Sequence, residues 1–153
     1  MLAAGLLFIH LVCFAGYLGA GFAQTQLMAR SAAAGLSADV RADRERLAAG
    51  IVTKIELPAI LGSVMSGIGF VVQNPAVMRF GWLHAKLLCV FLLLFLSHAE
   101  MFNARKIVKL RTSGGADTED AIAFRKKQHA MMGRVGALAV IAILVCVTFV
   151  RLR

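Results

Sequence analysis

Charge is scarce in this chain. Acidic and basic residues together make up 16% of its 153 residues, against 59% hydrophobic ones, and the mean hydropathy is +0.78. A water-soluble fold of this size cannot cover its surface with so few ionised groups. Alternation of apolar and polar residues is missing too. The run Leu87-Leu88-Cys89-Val90-Phe91-Leu92-Leu93-Leu94-Phe95-Leu96 is apolar on every face, which excludes the spans of a β-barrel. The first apolar stretch lacks a basic n-region and is longer than the apolar part of a usual signal peptide, so it reads as a span and not as a cleavable leader. Cysteine is limited to Cys13, Cys89 and Cys146, each in a different apolar stretch, an arrangement that offers neither a disulfide framework nor a zinc cage. No C-x-x-C-H occurs, which excludes covalent c-type haem attachment. The methionines, among them Met65, Met78, Met101, Met131 and Met132, form no M-x-M cluster of the kind that gathers copper, and read as packing.

Four stretches remain that suit lipid: approximately 2–22, 57–72, 80–96 and 135–150. A bilayer core about 30 Å thick takes roughly 20 apolar residues per helix, and only a helix or a closed barrel satisfies the backbone there. The expectation is one all-α integral membrane domain, 1–153, folded as a four-helix bundle. Thirteen of the 17 lysines and arginines fall in the segments after the first and third spans. Only Arg79, Lys86, Arg151 and Arg153 fall on the other side. By the positive-inside bias both long loops are cytoplasmic and both termini outside, in up-down order. The net charge of +9 is then a matter of topology and not of nucleic-acid binding.

Residues 24–50 open with a polar edge and continue as an alanine-rich, charge-laced stretch, Ser37 to Leu47. It is expected to be a helix at the interface or an extension of the spans. Residues 112–117 read as a turn and a cap before span four, and Asn74-Pro75 as a tight external turn. Pro58 begins or kinks span two. Gly62, Ser63, Ser66, Gly67 and Gly69 give that span a small-residue face, for packing within the chain or between copies in a homo-oligomer.

Ionisable groups at membrane depth are the candidates for chemistry: His10, His84, Lys86, His98 and Glu100. Lys54, Glu56, His129 and Arg134 lie nearer the headgroups, where interfacial solvation or snorkelling is expected. His84 and His98, 14 residues apart, share nearly one helix face but stand about 21 Å apart along it. His10 and His84 fall within about 5 Å of the same depth on straight helices, a gap that tilt can close. Two histidines from neighbouring helices can hold a haem edge-on, so His10 and His84 are the expected iron ligands, and His98 with His129 a second, lesser pair. The alternative is that these histidines only hydrogen-bond between helices.

The run Gly81-Trp82-Leu83-His84-Ala85-Lys86-Leu87, followed by an apolar helix, Ser97-His98 and the basic Ala104-Arg105-Lys106, resembles the W-x-H-x-K-L and Y-H pattern of the HemJ family. The resemblance extends over most of the chain, through His10-Leu11, Leu57-Pro58-Ala59-Ile60, Asn74-Pro75 and Phe124-Arg125, although only the span-three motif is specific. It implies a four-helical, haem b-binding oxidoreductase of a bacterial inner membrane. Such a protein oxidises protoporphyrinogen IX to protoporphyrin IX and passes the electrons to an acceptor such as a quinone or a respiratory-chain component. Carried over residue by residue, His10, His84 and Trp82 would face the cofactor, and Lys86 and His98 would serve catalysis. Lys86 would pair with a porphyrin propionate or snorkel outward. The chain departs from the family at Arg30-Ser31-Ala32, where H-A-E is usual, at Gln128-His129-Ala130-Met131, where N-E-x-P is usual, and at Ser97, where a tyrosine is usual. Two other readings therefore stand beside the enzyme: a non-enzymatic haem-holding membrane subunit, and a CopD-like metal-handling protein.

Overall fold

A computed structural model of the chain describes residues 2–114 and 118–150. Arg151 and Arg153, and the 115–117 portion of the expected turn, lie outside the described residues. Within them every regular element is a helix: α1 (Leu2–Arg30), α2 (Ala38–Ile51), α3 (Leu57–Gln73), α4 (Gly81–Ser113) and α5 (Thr118–Val145). Two π-helical turns, Val52–Glu56 and Cys146–Val150, and one 3₁₀ turn, Pro75–Arg79, complete the set. Four continuous helices are long and apolar enough to cross a membrane: Leu2–Arg30, Ala38–Gln73, Gly81–Ser113 and Thr118–Phe149. Large apolar side chains such as Phe8, Phe22, Phe91, Phe95 and Leu138 point out of the bundle, as they must where the solvent is lipid.

The helices outrun the apolar stretches that nucleate them. At 33 residues, α4 is about 50 Å long, against about 30 Å of hydrocarbon. Its charged C-terminal portion therefore extends beyond the apolar layer. The segment after span one likewise becomes an extension: α1 continues to Arg30, Gly35 turns the chain at φ +78°, and Ser37 caps α2 by accepting a hydrogen bond from the Val40 amide. No loop separates α2 from α3. Pro58 has no amide hydrogen and its ring crowds the carbonyl of Lys54, so the helix widens to a π turn over Val52–Glu56 and passes through.

The small-residue face of α3 packs against α1 within the chain. The contacts run in reverse order along the two helices: Leu6 beside Gly69, His10 beside Gly67, Cys13 beside Gly62, Gly16 beside Ala59 and Gly21 beside Glu56. Two apolar clusters fill the interior. One holds Tyr17, Ile60, Leu93, Ala139, Val140 and Ile143, and the other, toward the charged end, holds Met28, Ala48, Ala104, Ile107 and Ile122.

The second cluster is closed off by ions. Glu45 of α2, in the charged stretch outside the apolar spans, is fully buried and contacts Arg111 of α4 at 3.0 Å and Lys126 of α5 at 2.6 Å; Arg111 also bonds Glu119. Burial pushes the Glu45 carboxyl upward, but the hydrogen bonds from Arg111 and Lys126 outweigh it and hold the group below the usual carboxylate range. A depressed folded pKa adds stability above the unfolded value, and that stability is lost as pH falls through the folded one. Thermal unfolding of the detergent-solubilised protein should therefore show a midpoint that drops in acid, and Glu45→Gln should flatten that dependence. At neutral pH, leaving Arg111 and Lys126 without their shared anion should cost about 3–5 kcal/mol. A second test concerns the closest helix contact, since a Cβ at Gly62 would lie 2.6 Å from Cys13 Sγ. Gly62→Ala should destabilise by about 1–3 kcal/mol, and Cys13→Ala in the same chain should recover most of the loss.

Candidate functional site

Two polar sites lie inside the bundle. The first is built around His10. Its ring, half-buried between α1 and α3, places Nδ1 2.9 Å from the Ser63 carbonyl oxygen and 3.0 Å from Ser66 Oγ. A carbonyl oxygen only accepts, so Nδ1 carries the hydrogen and the lone pair stays on Nε2. A metal-bound histidine adopts this tautomer, with its other nitrogen held by a second polar group. Ser66 is itself held by the Gly62 and Ser63 carbonyl oxygens, each at 2.9 Å. Phe70 meets the ring edge-on, with centroids 6.2 Å apart, and Gly67 passes close to Cε1. The Lys86 ammonium on α4 is within electrostatic reach of this ring.

His84 is two residues from Lys86, which turns it about 200° around α4. It is exposed, and its Nδ1 hydrogen donates to the Phe80 carbonyl oxygen at 3.2 Å. Lys86 thus lies in the region of His10, while His84 stands on the exposed side of α4. Trp82 is half-buried near the start of α4. His98 is half-buried and donates from Nδ1 to the Leu94 carbonyl oxygen at 2.8 Å. Among the described residues no group of three or more His, Cys, Asp or Glu side chains gathers as a metal site.

The second site lies where the apolar spans meet the charged extensions. Gln24, Glu56, Ser97, Glu100 and His129, from α1, the first π turn, α4 and α5, are all buried. The expectation of interfacial solvation for Glu56 and His129 is overturned, because each is only 1% exposed, whereas Lys54 and Arg134 do reach the surface. The π turn is what carries Glu56 inward, and packing of α5 against α1 and α4 encloses His129. His129 Nε2 donates to Gln24 Oε1, which sets the amide so that its nitrogen donates to Glu100 Oε2 at 3.2 Å and to Thr25 Oγ1 at 3.2 Å. His129 Nδ1 is buried with no partner. Ser97 Oγ donates to Glu56 Oε1 at 3.1 Å and also bonds the Tyr17 hydroxyl. The carboxyl groups of Glu56 and Glu100 lie close enough to influence each other electrostatically.

His98 and His129 make no hydrogen bond to one another: His98 bonds Leu94 on its own helix, and His129 bonds Gln24 of α1. The residues that the sequence left unremarked here are Gln24 and Tyr17. A lone polar residue near the end of an apolar helix carries no signal of which face it occupies. Glu100 had such a signal, a carboxyl group at the end of a span. Gln24 bridges α5 to α4, so Gln24→Leu should strand polar atoms of both His129 and Glu100 and cost about 1–3 kcal/mol for each. Thermal unfolding should show the Gln24→Leu, His129→Leu double variant losing less than the sum of the single changes. No protein-family model, curated protein or solved structure matches the chain.

Proposed function

We propose that the chain is a multi-pass protein of a bacterial inner membrane, an up-down bundle with both termini outside. In this reading it binds haem b through His10 and oxidises protoporphyrinogen IX to protoporphyrin IX in the manner of the HemJ family. The observation that carries the reading is the fixed ring of His10, with its hydrogen on Nδ1 and its Nε2 lone pair available, beside the Lys86 ammonium. Haem b, when bound, supplies an iron centre that accepts and passes on single electrons. His10 sets the position of that centre, and Ser63 and Ser66 hold His10. Lys86 pairs with a carboxylate of the tetrapyrrole, a contact worth more at low dielectric than in water. Because His84 is exposed and turned away from Lys86, we leave it outside the ligand set. His98, with Nδ1 tied to Leu94, keeps Nε2 as an acceptor and is the candidate to take a proton from the substrate. The up-down order is supported by the reverse-order contacts of α1 with α3 and by the thirteen inward basic residues.

The test is a reduced-minus-oxidised absorption spectrum of protein purified from cells supplied with haem. The wild type should give a b-type band, His10→Ala should abolish it, and His84→Ala should retain it. Lys86→Ala should keep the band and raise KM for protoporphyrinogen by about tenfold or more. A colourless wild type would overturn the reading. A band without substrate oxidation would make the chain a haem-holding membrane subunit instead.

A further inference from the structure

A cleft of about 240 Å³ opens between α1 and α5 and ends on buried polar side chains of α1, the first π turn and α4. Tyr17, Gln24, Glu56, Ser97 and Glu100 form its floor, while Leu18, Phe22 and Ala137 at its rim are exposed on the apolar outer surface. Two glycines of its lining lie beside carboxyl oxygens. A Cβ on Gly21 would stand 3.9 Å from Glu56 Oε2, and one on Gly133 would stand 3.6 Å from Glu100 Oε1 and 3.4 Å from Thr25 Oγ1. The missing side chains leave room next to both oxygens, and an occupant that enters from lipid can reach them.

The donors of Ser97 and Gln24 are engaged within the floor itself. Ser97 Oγ gives its hydrogen to Glu56 Oε1, and the Gln24 amide gives one hydrogen to Glu100 Oε2 and the other to Thr25 Oγ1. Acceptors are left over. Glu56 Oε2 is buried with no hydrogen-bond partner among the described residues, and Glu100 Oε1 is the oxygen that Gln24 does not take. Neither carboxyl group forms an ion pair among the described residues, whereas the buried Glu45 has two. A buried acceptor without a donor is costly, and an ionisable side chain at membrane depth points to a function unless a partner answers it. The group that answers must bring N–H or O–H donors, and a positive charge makes its bonds to carboxyl oxygens roughly twice as strong. An ammonium group has three donors and no acceptor, which matches this floor. A metal ion does not, since among the described residues no third His, Cys, Asp or Glu joins the two acids as a ligand set. The apolar rim requires the rest of the molecule to be hydrophobic, and a volume below the roughly 300–1,000 Å³ of drug-sized pockets limits it to about one ring. We propose that this cleft binds a small lipophilic amine in its ammonium form, its N–H groups donating to Glu56 Oε2 and Glu100 Oε1 and its apolar part lying between α1 and α5. The inference stands on the cleft and needs no haem.

The experiment uses the purified full chain in phosphatidylcholine nanodiscs at neutral pH, titrated with phenethylamine and, as an uncharged control of the same shape, phenethyl alcohol. Protein-free nanodiscs serve as the blank, and isothermal titration calorimetry gives the affinity. The amine should bind saturably, and the alcohol should bind more weakly by about tenfold or more. Glu56→Gln, which keeps the shape and removes the charge, should weaken amine binding by about tenfold or more, and so should Gly133→Leu, which fills the cleft. Thermal unfolding checks that each variant is folded. If Gly133→Leu is not, Ala137→Trp at the exposed rim takes its place, and Glu100→Gln stands in for Glu56→Gln on the same condition. Equal affinity for the alcohol, unchanged affinity in the carboxyl and cleft variants, or displacement of the amine by equimolar sodium chloride, the mark of an inorganic-cation site, would each overturn the proposal. Amine binding by a colourless chain would support it and sink only the haem reading.

Discussion

Lipid offers nothing to a polar atom, and the structure is organised by that refusal. Every backbone group between the two surfaces must find its partner along its own helix, which is why the described chain is helical almost throughout. Side chains face the same demand. Polar ones that enter the bundle are drawn into closed sets: His10 with Ser63 and Ser66, His129 with Gln24 and Glu100, and Ser97 with Glu56 and Tyr17. The apolar clusters between them carry packing but no address, since any large aliphatic residue would serve. The polar sets decide which face of each helix turns inward.

The same demand makes the few unsatisfied atoms informative. Among the described residues three buried side-chain atoms have no partner: Arg41 Nε on α2, Glu56 Oε2 and His129 Nδ1. The last two lie in one region, where the apolar spans meet the charged extensions, away from the ion pairs of Glu45, Arg111, Lys126 and Glu119. The two regions handle charge differently. Around Glu45, opposite charges meet and neutralise each other, so that end of the bundle is fastened. Around Glu56 and Glu100, acid lies near acid, with Ser97 and Gln24 as their neutral hydrogen-bond donors.

Much of this architecture can be read in the residues. The four apolar stretches, the turn at Asn74-Pro75 and the small-residue face of α3 appear in the structure where composition and spacing place them, because each depends on local chemistry alone. The site was less legible. His10 and Lys86 stand out as ionisable groups in apolar runs, but that Lys86 and not His84 turns toward His10 depends on how α4 is rotated, and no periodicity stronger than lipid-on-all-sides fixes that rotation. Glu56 and His129 looked solvated because they sit at the ends of spans. Burial there follows from the helices continuing well past the hydrocarbon, with α2, α4 and α5 closing over that end.

The π turn at Val52–Glu56 has a consequence for how this chain can vary. A π turn holds one more residue than the α-helical turn it replaces, so it acts as a phase shifter between α2 and α3. Glu45 and Ala48 on one side and Ile60, Ser63 and Ser66 on the other face inward together only because of that extra residue. Loss of a single residue between Ile51 and Leu57 would preserve every apolar stretch and almost the whole composition, yet turn one helix about 100° against the other. Sequence length in this segment is therefore under tighter constraint than sequence identity.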